Sequence, residues 1–326
     1  MIKENLKEIK EDVDPIIYDA LRKYQNKDLH NLIVHQVKTG GKRLRPFLLV
    51  TIYKALEGRG DPLFEAAAIE LFHNYSLLLD DIIDEGVVRR GKPTTWNKFG
   101  LAATLCSSSF YFSTIVDLLN ETPKEVVDIF VRETKEVMEG EFIDVLQDRN
   151  SDKTVPRELK EKYWKIDYKN YLKMVKKKTG ALFRASCGMG AALVGKKEQL
   201  AVEFGDSVGV SYQVRDDILD IFGDLNSFGK EIGKDIKERK GGNIVLIFAN
   251  EEDSRISKIF DKNQEIKDEQ VEEMMEVIKE TKARERAQNL VDKFANKALK
   301  RLEEFPDNEN REKLEELVEY IKVRKK

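Results

Sequence analysis

Apolar residues recur at three- and four-residue spacing along almost all of this 326-residue chain. No segment alternates apolar and polar residues between turn signals, as strands do. Because this period is that of an α-helix, the sequence predicts an all-α protein. Glycine-, proline- and polar-rich stretches should separate the helices, and they lie at residues 38–43, 57–62, 89–94, 120–125, 147–156 and 223–243. No low-complexity linker divides the chain, so we expect one helical domain over residues 1–326.

Composition excludes several classes of function. The 57 basic and 60 acidic residues nearly cancel to a net charge of −3, so nucleic-acid binding is not indicated. The two cysteines, Cys106 and Cys187, lack metal-ligand spacing, which argues against a disulfide framework or a zinc site and fits a reducing compartment. The N-terminus has no apolar signal core, and no apolar run reaches the ~18 residues of a membrane span. We therefore expect a cytoplasmic protein without a membrane span.

Three carboxylates interrupt an apolar helical run in the segment LLDDIIDEGVVRRGKPT. Asp80 and Asp84 differ by only about 40° around a helix, and Asp81 lies beside them. Carboxylates so close together raise one another's pKa and destabilise the helix unless a cation lies between them. Oxygen ligands without histidine or cysteine favour Mg²⁺. A solvent-facing acidic patch remains an open alternative for this motif taken alone.

The same spacing recurs in the segment YQVRDDILDIFGD. It contains Asp216, Asp217 and Asp220, again within an apolar helical run. Two solvent-facing acidic patches that arose by chance, each within an apolar helical run, would explain this repetition poorly. The sequence therefore predicts two acidic helices that together form a metal clamp.

Basic clusters follow glycines or the acidic motifs at several places in the chain. They are Lys42, Arg43 and Arg45 in GGKRLRP; Arg89 and Arg90 in RRG; Lys178, beside Thr179, in KKKTG; and Lys230 in FGKEIGKD. Each cluster alone is typical of a solvated surface. Together they fit two bound diphosphates, one bridged to the aspartates by Mg²⁺ and one held directly by arginine and lysine.

The motifs GGKRLRP, LLDDIIDEGVVRRGKPT, KKKTGALF and YQVRDDILDIFGD follow one another in this order, within a similarity that covers about residues 35–245. This order resembles the trans-isoprenyl diphosphate synthases of the short-chain group, which make farnesyl and geranylgeranyl diphosphates. The resemblance implies the isoprenoid synthase fold, a single-domain bundle of about ten to thirteen helices around a deep central cavity, usually as a homodimer. It also implies condensation of isopentenyl diphosphate with an allylic diphosphate of C5 to C15, with release of diphosphate.

The resemblance also assigns roles to individual residues. Asp80, Asp84 and Asp216 would hold Mg²⁺ on the allylic diphosphate, with Asp81, Asp217 and Asp220 in support. The same diphosphate would be held by basic residues: Arg89, Lys178, Lys230 and Lys240. The oxygens of Thr179 and Gln213 would face the developing allylic cation. Isopentenyl diphosphate would be bound by Lys42, Arg45, His73 and Arg90.

Product length is expected to depend on the helix that carries Asp80. At 1.5 Å per residue, the residue five positions earlier, Tyr75, lies about 7.5 Å deeper along the path of the hydrocarbon tail. Phe72 adds a second aromatic ring, whereas Ser76 is small. A bulky residue here forms the floor in the family, so the resemblance implies C15 to C20 products. The alternative is that both aromatic residues belong to an ordinary core.

Several positions depart from the family pattern. They are Leu79, Cys106 to Ser108, Glu141, which stands where glutamine is usual, and Gly241 to Asn243. None removes an expected metal ligand or phosphate-binding residue. Two alternatives stay open: a non-catalytic or weakly active regulatory partner subunit of a prenyl diphosphate synthase, and a class I terpene cyclase. The cyclase would need neither GGKRLRP nor a second acidic motif.

Overall fold

The computed structural model describes residues 2–22, 26–147, 155–156, 158–159, 167–223, 233–237, 242–256 and 266–324. Within these ranges all regular secondary structure is helical except for one short hairpin, so the all-α prediction is confirmed. The helices are α1 Ile2–Arg22, α2 Lys27–Lys38, α3 Leu44–Ala55, α4 Leu63–Ile83, α5 Thr95–Phe99, α6 Leu101–Leu118, α7 Lys124–Gln147, α8 Tyr168–Val175, a π-helix Lys176–Gly180, α9 Ala181–Val194, α10 Glu198–Phe222, α11 Lys234–Lys237, α12 Ile244–Glu252, α13 Asp268–Glu280, α14 Ala283–Leu302 and α15 Glu309–Val323.

The hairpin was predicted only as a break between helices. Strand β1, Val88–Arg89, pairs antiparallel with β2, Lys92–Pro93. The two turn residues between them, Arg90 and Gly91, have φ values of 53° and 74°. Such two-residue turns with positive φ match the twist of the flanking strands. Strands of two residues are too short to show alternation, which is why the periodicity did not indicate them.

The described residues form two compact units. The first contains residues within 1–135, 182–205 and 299–317, and the second contains residues within 136–181, 206–298 and 318–326. The first acidic motif and the GGKRLRP and RRG clusters lie in the first unit. The second acidic motif and the KKKTG cluster lie in the second unit. The single domain remains a prediction.

In the first unit, α4 is packed against α1, α3 and α6. Three consecutive alanines of α4, Ala66, Ala67 and Ala68, are fully buried, and Ile69 and Leu71 follow them into the core. A helix that is apolar on all sides is buried over most of its length. This packing fixes the direction in which the last turn of α4 presents its aspartates.

Helix α6 also packs into the first unit but keeps one apolar face exposed. Its exposed residues include Leu101, Leu105, Phe112 and Val116, whose side chains are 45–58% accessible. Their spacing places them on one side of the helix. By length and composition alone, this described helix is apolar enough to cross a membrane, and a third of it is buried. On its opposite face, the hydroxyl of Tyr111 donates a hydrogen bond to a carbonyl of α2.

In the second unit, α10 contributes a buried stripe to the core. Val210, Val214, Ile218 and Ile221 recur at helical spacing and are at most 3% exposed. Asp217 lies about 60° from Val214 around the helix and is therefore buried with this stripe. The helical register thus separates the adjacent aspartates of the second acidic motif.

The π-helix Lys176–Gly180 carries the KKKTG cluster between α8 and α9. Single π-turns inside α-helices occur frequently at functional sites. Gly140 of α7 packs against this turn so closely that a Cβ atom there would lie 2.2 Å from the backbone nitrogen of Lys178. Only glycine permits this contact, which fixes the position of the backbone of Lys178.

Candidate active site

The first acidic motif lies at the C-terminal end of α4. Asp80 and Asp81 occupy the last turn, and Asp84 is the C-cap, its backbone N–H donating to the Asp80 carbonyl at 2.8 Å. The C-terminal end of a helix carries partial negative charge, so carboxylates there are destabilised by the helix dipole as well as by one another. This end of α4 is therefore an electrostatic site for a cation.

Asp81 already has a cationic partner. Its side chain is 5% exposed, and Arg89 of the hairpin donates to both carboxylate oxygens from Nε at 2.9 Å and to Oδ1 from the other guanidinium end at 2.7 Å. Burial raises the pKa of Asp81, Arg89 opposes this rise, and the charges of Asp80 and Asp84 add to it. Asp80 and Asp84 are partly exposed. These two residues are thus better placed than Asp81 to bind a metal ion.

The hairpin brings two of the predicted basic clusters together. Arg90, in its turn, donates a hydrogen bond to the carbonyl of Gly40, and Lys92 donates to the carbonyl of Lys38 at 2.5 Å. Both acceptors lie at the start of the GGKRLRP loop between α2 and α3. The structure therefore places Arg90 beside the loop that carries Lys42 and leads into α3, where Arg45 lies in the first turn. One shared anion site stays a prediction.

Arg43 has a different role from its basic neighbours in that loop. Its fully buried side chain donates to Asp14 Oδ1 at 2.6 Å and to Glu70 Oε1 at 2.9 Å. Lys42 is exposed and Arg45 is half-buried. Arg43 therefore anchors the loop to α1 and α4, which leaves the exposed Lys42 and the half-buried Arg45 as the residues suited to hold an anion.

Gly41 makes this crowding of cations possible. A Cβ atom at this position would lie 2.6 Å from a guanidinium nitrogen of Arg43 and 3.1 Å from one of Arg90. Its φ of 151° also lies in the range that other residues rarely adopt. The second glycine of GGKRLRP thus allows two guanidinium groups to approach the same segment of backbone.

His73 lies on α4 two turns before Asp80 and is affected by the same arginines. Burial lowers the pKa of His73 well below 6.5, and the positive charges of Arg45, Arg90 and Arg89 lower it further. His73 is therefore neutral near pH 7. A neutral imidazole can donate a hydrogen bond to an anion without adding repulsion to a cluster that is already positive.

The residues expected to limit product length form an aromatic cluster within the first unit. The rings of Phe72 and Tyr75 lie 5.5 Å apart, and Phe72 also meets Phe130 edge-on at 5.6 Å. Phe72 is 2% exposed, whereas Tyr75 is partly exposed. The hydroxyl of Ser76 donates to the carbonyl of His73 at 2.9 Å. Tyr75 is thus braced by Phe72, and its function as a floor stays a prediction.

In the second unit, Lys178 projects from the π-helix into an acidic pair on α7. Its ammonium group lies 2.6 Å from an oxygen of Asp144 and 2.8 Å from an oxygen of Glu141. Glu141 is one of the departures from the family pattern. It adds a carboxylate where an amide is usual, so Lys178 has two negative partners.

Thr179 and Gln213 are joined directly. The Thr179 hydroxyl donates to the Gln213 side-chain oxygen at 2.8 Å, and the Gln213 amide nitrogen donates to Asp217 at 2.9 Å. With its nitrogen facing Asp217, the Gln213 amide turns its oxygen towards Thr179. The two residues predicted to face the allylic cation therefore form one oriented pair.

Asp217 supports the site from inside the core. Besides Gln213, it accepts hydrogen bonds from the Tyr171 hydroxyl at 2.7 Å and from the backbone N–H of Ile244 at 3.0 Å. Burial, with the charge of Asp235, raises the pKa of Asp217 to about 8. Because Ile244 is the first residue of α12, Asp217 lies at the N-terminal end of this helix, where the helix dipole favours a negative charge. It is placed as an anchor for α12 rather than as an open metal ligand.

The other two aspartates of this motif have different neighbours. Asp220 is 8% exposed and accepts the backbone N–H of Asp235 at 3.2 Å. Asp216 is 30% exposed and lies 2.6 Å from a guanidinium nitrogen of Arg324, a residue that the sequence analysis did not single out. No local pattern pointed to Arg324, because its partner lies 108 positions away in the chain.

Asn243, another departure from the family pattern, is the N-cap of α12. Its side-chain oxygen accepts from the N–H of Val245 at 2.9 Å, and its amide donates to Asp235 at 2.9 Å and to the carbonyl of Asp217 at 3.3 Å. Asparagine at this position therefore ties the start of α12 to the second acidic motif. Lys230, Lys240 and Gly241 lie outside the described residues.

The donor set fits a divalent metal of the Mg²⁺ type. Within the described part of the chain, no three histidine, cysteine, aspartate or glutamate side chains already converge on a metal position. Asp80 and Asp84 of the first unit are nevertheless partly exposed and supply oxygen donors, and so does Asp216 of the second unit. Mg²⁺ typically uses one or two carboxylates and completes its shell with water and substrate phosphates. A pre-formed cage is therefore not required.

The ionisation of His73 gives a testable prediction. We expect its imidazole to titrate well below pH 6.5, because it is buried beside arginines, and inorganic diphosphate to raise this pKa by offsetting their charge. The unfolded chain binds this proton at a higher pH than the folded chain, so His73 should make the free energy of unfolding fall as the pH drops below 6.5.

The measurement is an NMR titration of the imidazole protons. The chain has three histidines, and the signal missing from a His73→Gln variant identifies His73. A midpoint at or above pH 6.5 would contradict the arginine cluster around it.

Comparison with known proteins identifies the family of this chain. Residues 26–281 match the family described as Polyprenyl synthetase. A short chain isoprenyl diphosphate synthase from Methanocaldococcus jannaschii is 33% identical over 279 residues, which cover 81% of this chain and 80% of that protein.

Two solved structures resemble the whole chain. A polyprenyl synthase from Caulobacter crescentus CB15, crystallised with calcium and isoprenyl diphosphate, has a TM-score of 0.87 and 26% identity, covering 100% of this chain and 98% of that one. A geranylgeranyl pyrophosphate synthetase from Pyrococcus horikoshii Ot3 has a TM-score of 0.86 and 28% identity, covering 98% of both chains. These likenesses confirm the predicted isoprenoid synthase fold, and the chain belongs to the polyprenyl synthetase family.

Proposed function

We propose that this protein is a short-chain trans-prenyltransferase that condenses isopentenyl diphosphate with allylic diphosphates of C5 to C15. Its products would be farnesyl diphosphate, geranylgeranyl diphosphate or both. The observation that carries this proposal is the arrangement at α4, where the charges of nearby arginines help to lower the pKa of His73 while Asp80 and Asp84 end the same helix. A cationic surface and an acidic helix end within one unit fit two diphosphates, one held directly and one held through a metal.

Mg²⁺ is the cation that we propose for Asp80, Asp84 and Asp216. When bound, it would supply Lewis-acid stabilisation of the negative charge that grows on the leaving diphosphate. Asp81 keeps Arg89 in place beside the end of α4, which carries Asp80 and Asp84, by accepting hydrogen bonds from Arg89 Nε on both carboxylate oxygens. Asp217 and Asp220 hold the second motif to α12 and to the segment around Asp235.

The chain's own basic residues would position the substrates. Lys42, Arg45 and Arg90 would bind isopentenyl diphosphate, with His73 donating a hydrogen bond. Lys178 would bind the allylic diphosphate, and its pairing with Glu141 and Asp144 holds the ammonium group in a defined place beforehand.

The developing allylic cation would be met by oxygen atoms rather than by a charge. Thr179 donates its proton to Gln213, so the remaining lone pairs of the Thr179 oxygen are available to an electron-poor carbon. We also propose roles for Lys230 and Lys240 on the diphosphate, as the family resemblance implies. A cytoplasmic location is proposed from the cysteine content and the N-terminal sequence.

An elongation assay tests the function. Purified protein with Mg²⁺, isopentenyl diphosphate and each of the C5, C10 and C15 primers should release diphosphate and yield longer prenyl alcohols after phosphatase treatment. Asp80→Asn should lower kcat by about 10²- to 10³-fold, by analogy with the loss of one donor from an oxyanion hole. Asp12→Asn, which changes an exposed aspartate of α1, is the matched control and should retain wild-type activity.

The products also separate the alternatives. No elongation with any primer would contradict the enzyme and favour the regulatory partner subunit. A cyclic hydrocarbon would favour the terpene cyclase.

A second prediction concerns product length. Tyr75→Ala should lengthen the main product by at least one C5 unit, because it removes the ring that Phe72 braces at the proposed floor. Tyr75→Phe keeps the ring and should retain the wild-type product. Chromatography of the dephosphorylated products measures both, and an unchanged chain length in Tyr75→Ala would show that Tyr75 is not the floor.

We further propose that the protein is a homodimer and that the exposed apolar face of α6 lies in the interface. Four large apolar side chains on one face of a helix are an unusually extended apolar surface for an isolated protein. A second copy would cover this face, and the small residues Ser109 and Ser113 beside it would allow two helices to approach closely.

Light scattering after size-exclusion chromatography tests the dimer. The wild-type protein should elute with twice the mass of one chain, and the variant Leu105→Lys/Phe112→Glu should be a folded monomer. Phe64→Glu changes an exposed apolar residue outside α6 and should remain dimeric. A monomeric wild-type protein, or a dimeric α6 variant, would contradict this interface.

A further inference from the structure

Arg324, which follows the last helix, is the direct partner of the most exposed aspartate in the second acidic motif. One of its guanidinium nitrogens lies 2.6 Å from Asp216 Oδ1 and donates to the carbonyl of Tyr212 at 3.0 Å. The guanidinium carbon lies 3.9 Å from the centre of the Tyr212 ring. The Arg324 side chain is 1% exposed, so this ion pair is shielded from solvent on the arginine side.

The backbone of Arg324 is held at the same place. Arg215, which directly precedes Asp216, donates from Nε at 3.0 Å and from a terminal nitrogen at 2.7 Å to the Arg324 carbonyl. The other terminal guanidinium nitrogen of Arg215 donates to the side-chain oxygen of Gln288 at 2.8 Å. The residue after α15 is therefore docked on α10 by both main-chain and side-chain contacts, immediately beside the motif.

The arrangement suits a counter-ion better than a packing residue. Arg324 Nε is buried and has no hydrogen-bond partner among the described residues. A buried donor without a partner is unfavourable, so an apolar residue would satisfy this position better if packing were its only role. What an apolar residue could not supply is a positive charge in contact with the Asp216 carboxylate.

That charge lies where a metal ion at Asp216 would be repelled by it. A metal ion is attracted less by a carboxylate that already has a guanidinium partner, and it is also repelled by the guanidinium charge. Both effects are strongest where solvent is excluded. A bound diphosphate would change the balance, because its negative charge offsets both cations. Metal binding at Asp216 would then depend on whether the diphosphate is present.

We propose that Arg324 is a resident counter-ion that keeps Asp216 from binding a divalent cation until a diphosphate is present. Arg324 is thus a positioning residue that couples metal binding at the second motif to substrate binding. This inference rests on the proposed metal-binding role of Asp216. It adds a residue outside both acidic motifs and all the basic clusters of the sequence.

Manganese titration followed by electron paramagnetic resonance tests this coupling, because the signal of free Mn²⁺ falls as the ion binds. Without diphosphate, Arg324→Gln should bind Mn²⁺ about tenfold more tightly than wild type, the scale expected for removing one nearby positive charge. With inorganic diphosphate, after the Mn²⁺ bound by diphosphate alone in a protein-free sample has been subtracted, the difference should shrink. Adding Asp216→Asn to Arg324→Gln should abolish the gain, which assigns it to Asp216.

Two further variants separate charge from structure. Arg324→Lys keeps the charge and should bind Mn²⁺ like wild type. Arg311→Gln removes one arginine from α15 that is paired with Glu315, and it should also leave Mn²⁺ affinity unchanged. Circular dichroism monitors the fold of each variant, and Mn²⁺ affinities are compared only between folded variants.

The outcomes are distinguishable from failure of the proposed function. Unchanged or weaker Mn²⁺ binding by Arg324→Gln without diphosphate overturns the counter-ion role, while the elongation assay still reports whether the protein is a prenyltransferase. If folded wild type and Arg324→Gln both fail to bind Mn²⁺ even with diphosphate, the metal role of Asp216 falls, and this inference falls with it.

Discussion

The buried ion pair between Asp81 and Arg89 is the interaction on which the first half of the candidate site depends. It joins the end of α4 to the hairpin, and the hairpin in turn holds the GGKRLRP loop through Arg90 and Lys92. Removing one partner of such a buried pair typically destabilises a protein by about 3–5 kcal/mol, since the other charge is left unpaired. Arg43 secures the far side of the same loop on α1 and α4.

In the second acidic motif, as in the first, the aspartates differ in burial and in their partners. In both motifs the middle aspartate is buried and bonded to protein groups, whereas the first aspartate is more exposed. Asp81 continues the buried positions Asn74 and Leu78 of α4, and Asp217 continues Val210 and Val214 of α10. Helical register alone therefore assigns one aspartate of each motif to the interior, where it fixes the orientation of the neighbours that could bind a metal.

Much of the fold and part of the site were predictable from the sequence because the signals are local. The predicted breaks at residues 38–43, 57–62, 89–94 and 120–125 lie between helices or at their ends, whereas the described part of the break at 223–243 contains α11. GGKRLRP and RRG lie beside each other in the first unit. The hairpin and the π-helix were missed, since two-residue strands and a single wide turn leave no periodic signal. The separate roles of Lys42, Arg43 and Arg45 were also not predictable, because adjacent residues of one charge look alike until burial distinguishes them.

The sequence by itself determined that the chain is helical, that two carboxylate clusters lie on its helices and that cations accompany them. These features depend on residues within a few turns of one another. Only the tertiary structure decided which cation meets which carboxylate, as for Arg43 with Asp14 and Arg324 with Asp216, which are 29 and 108 positions apart. The physical reason is that an ion pair depends on distance in space and on exclusion of water, and helical periodicity specifies neither for residues so far apart in the chain.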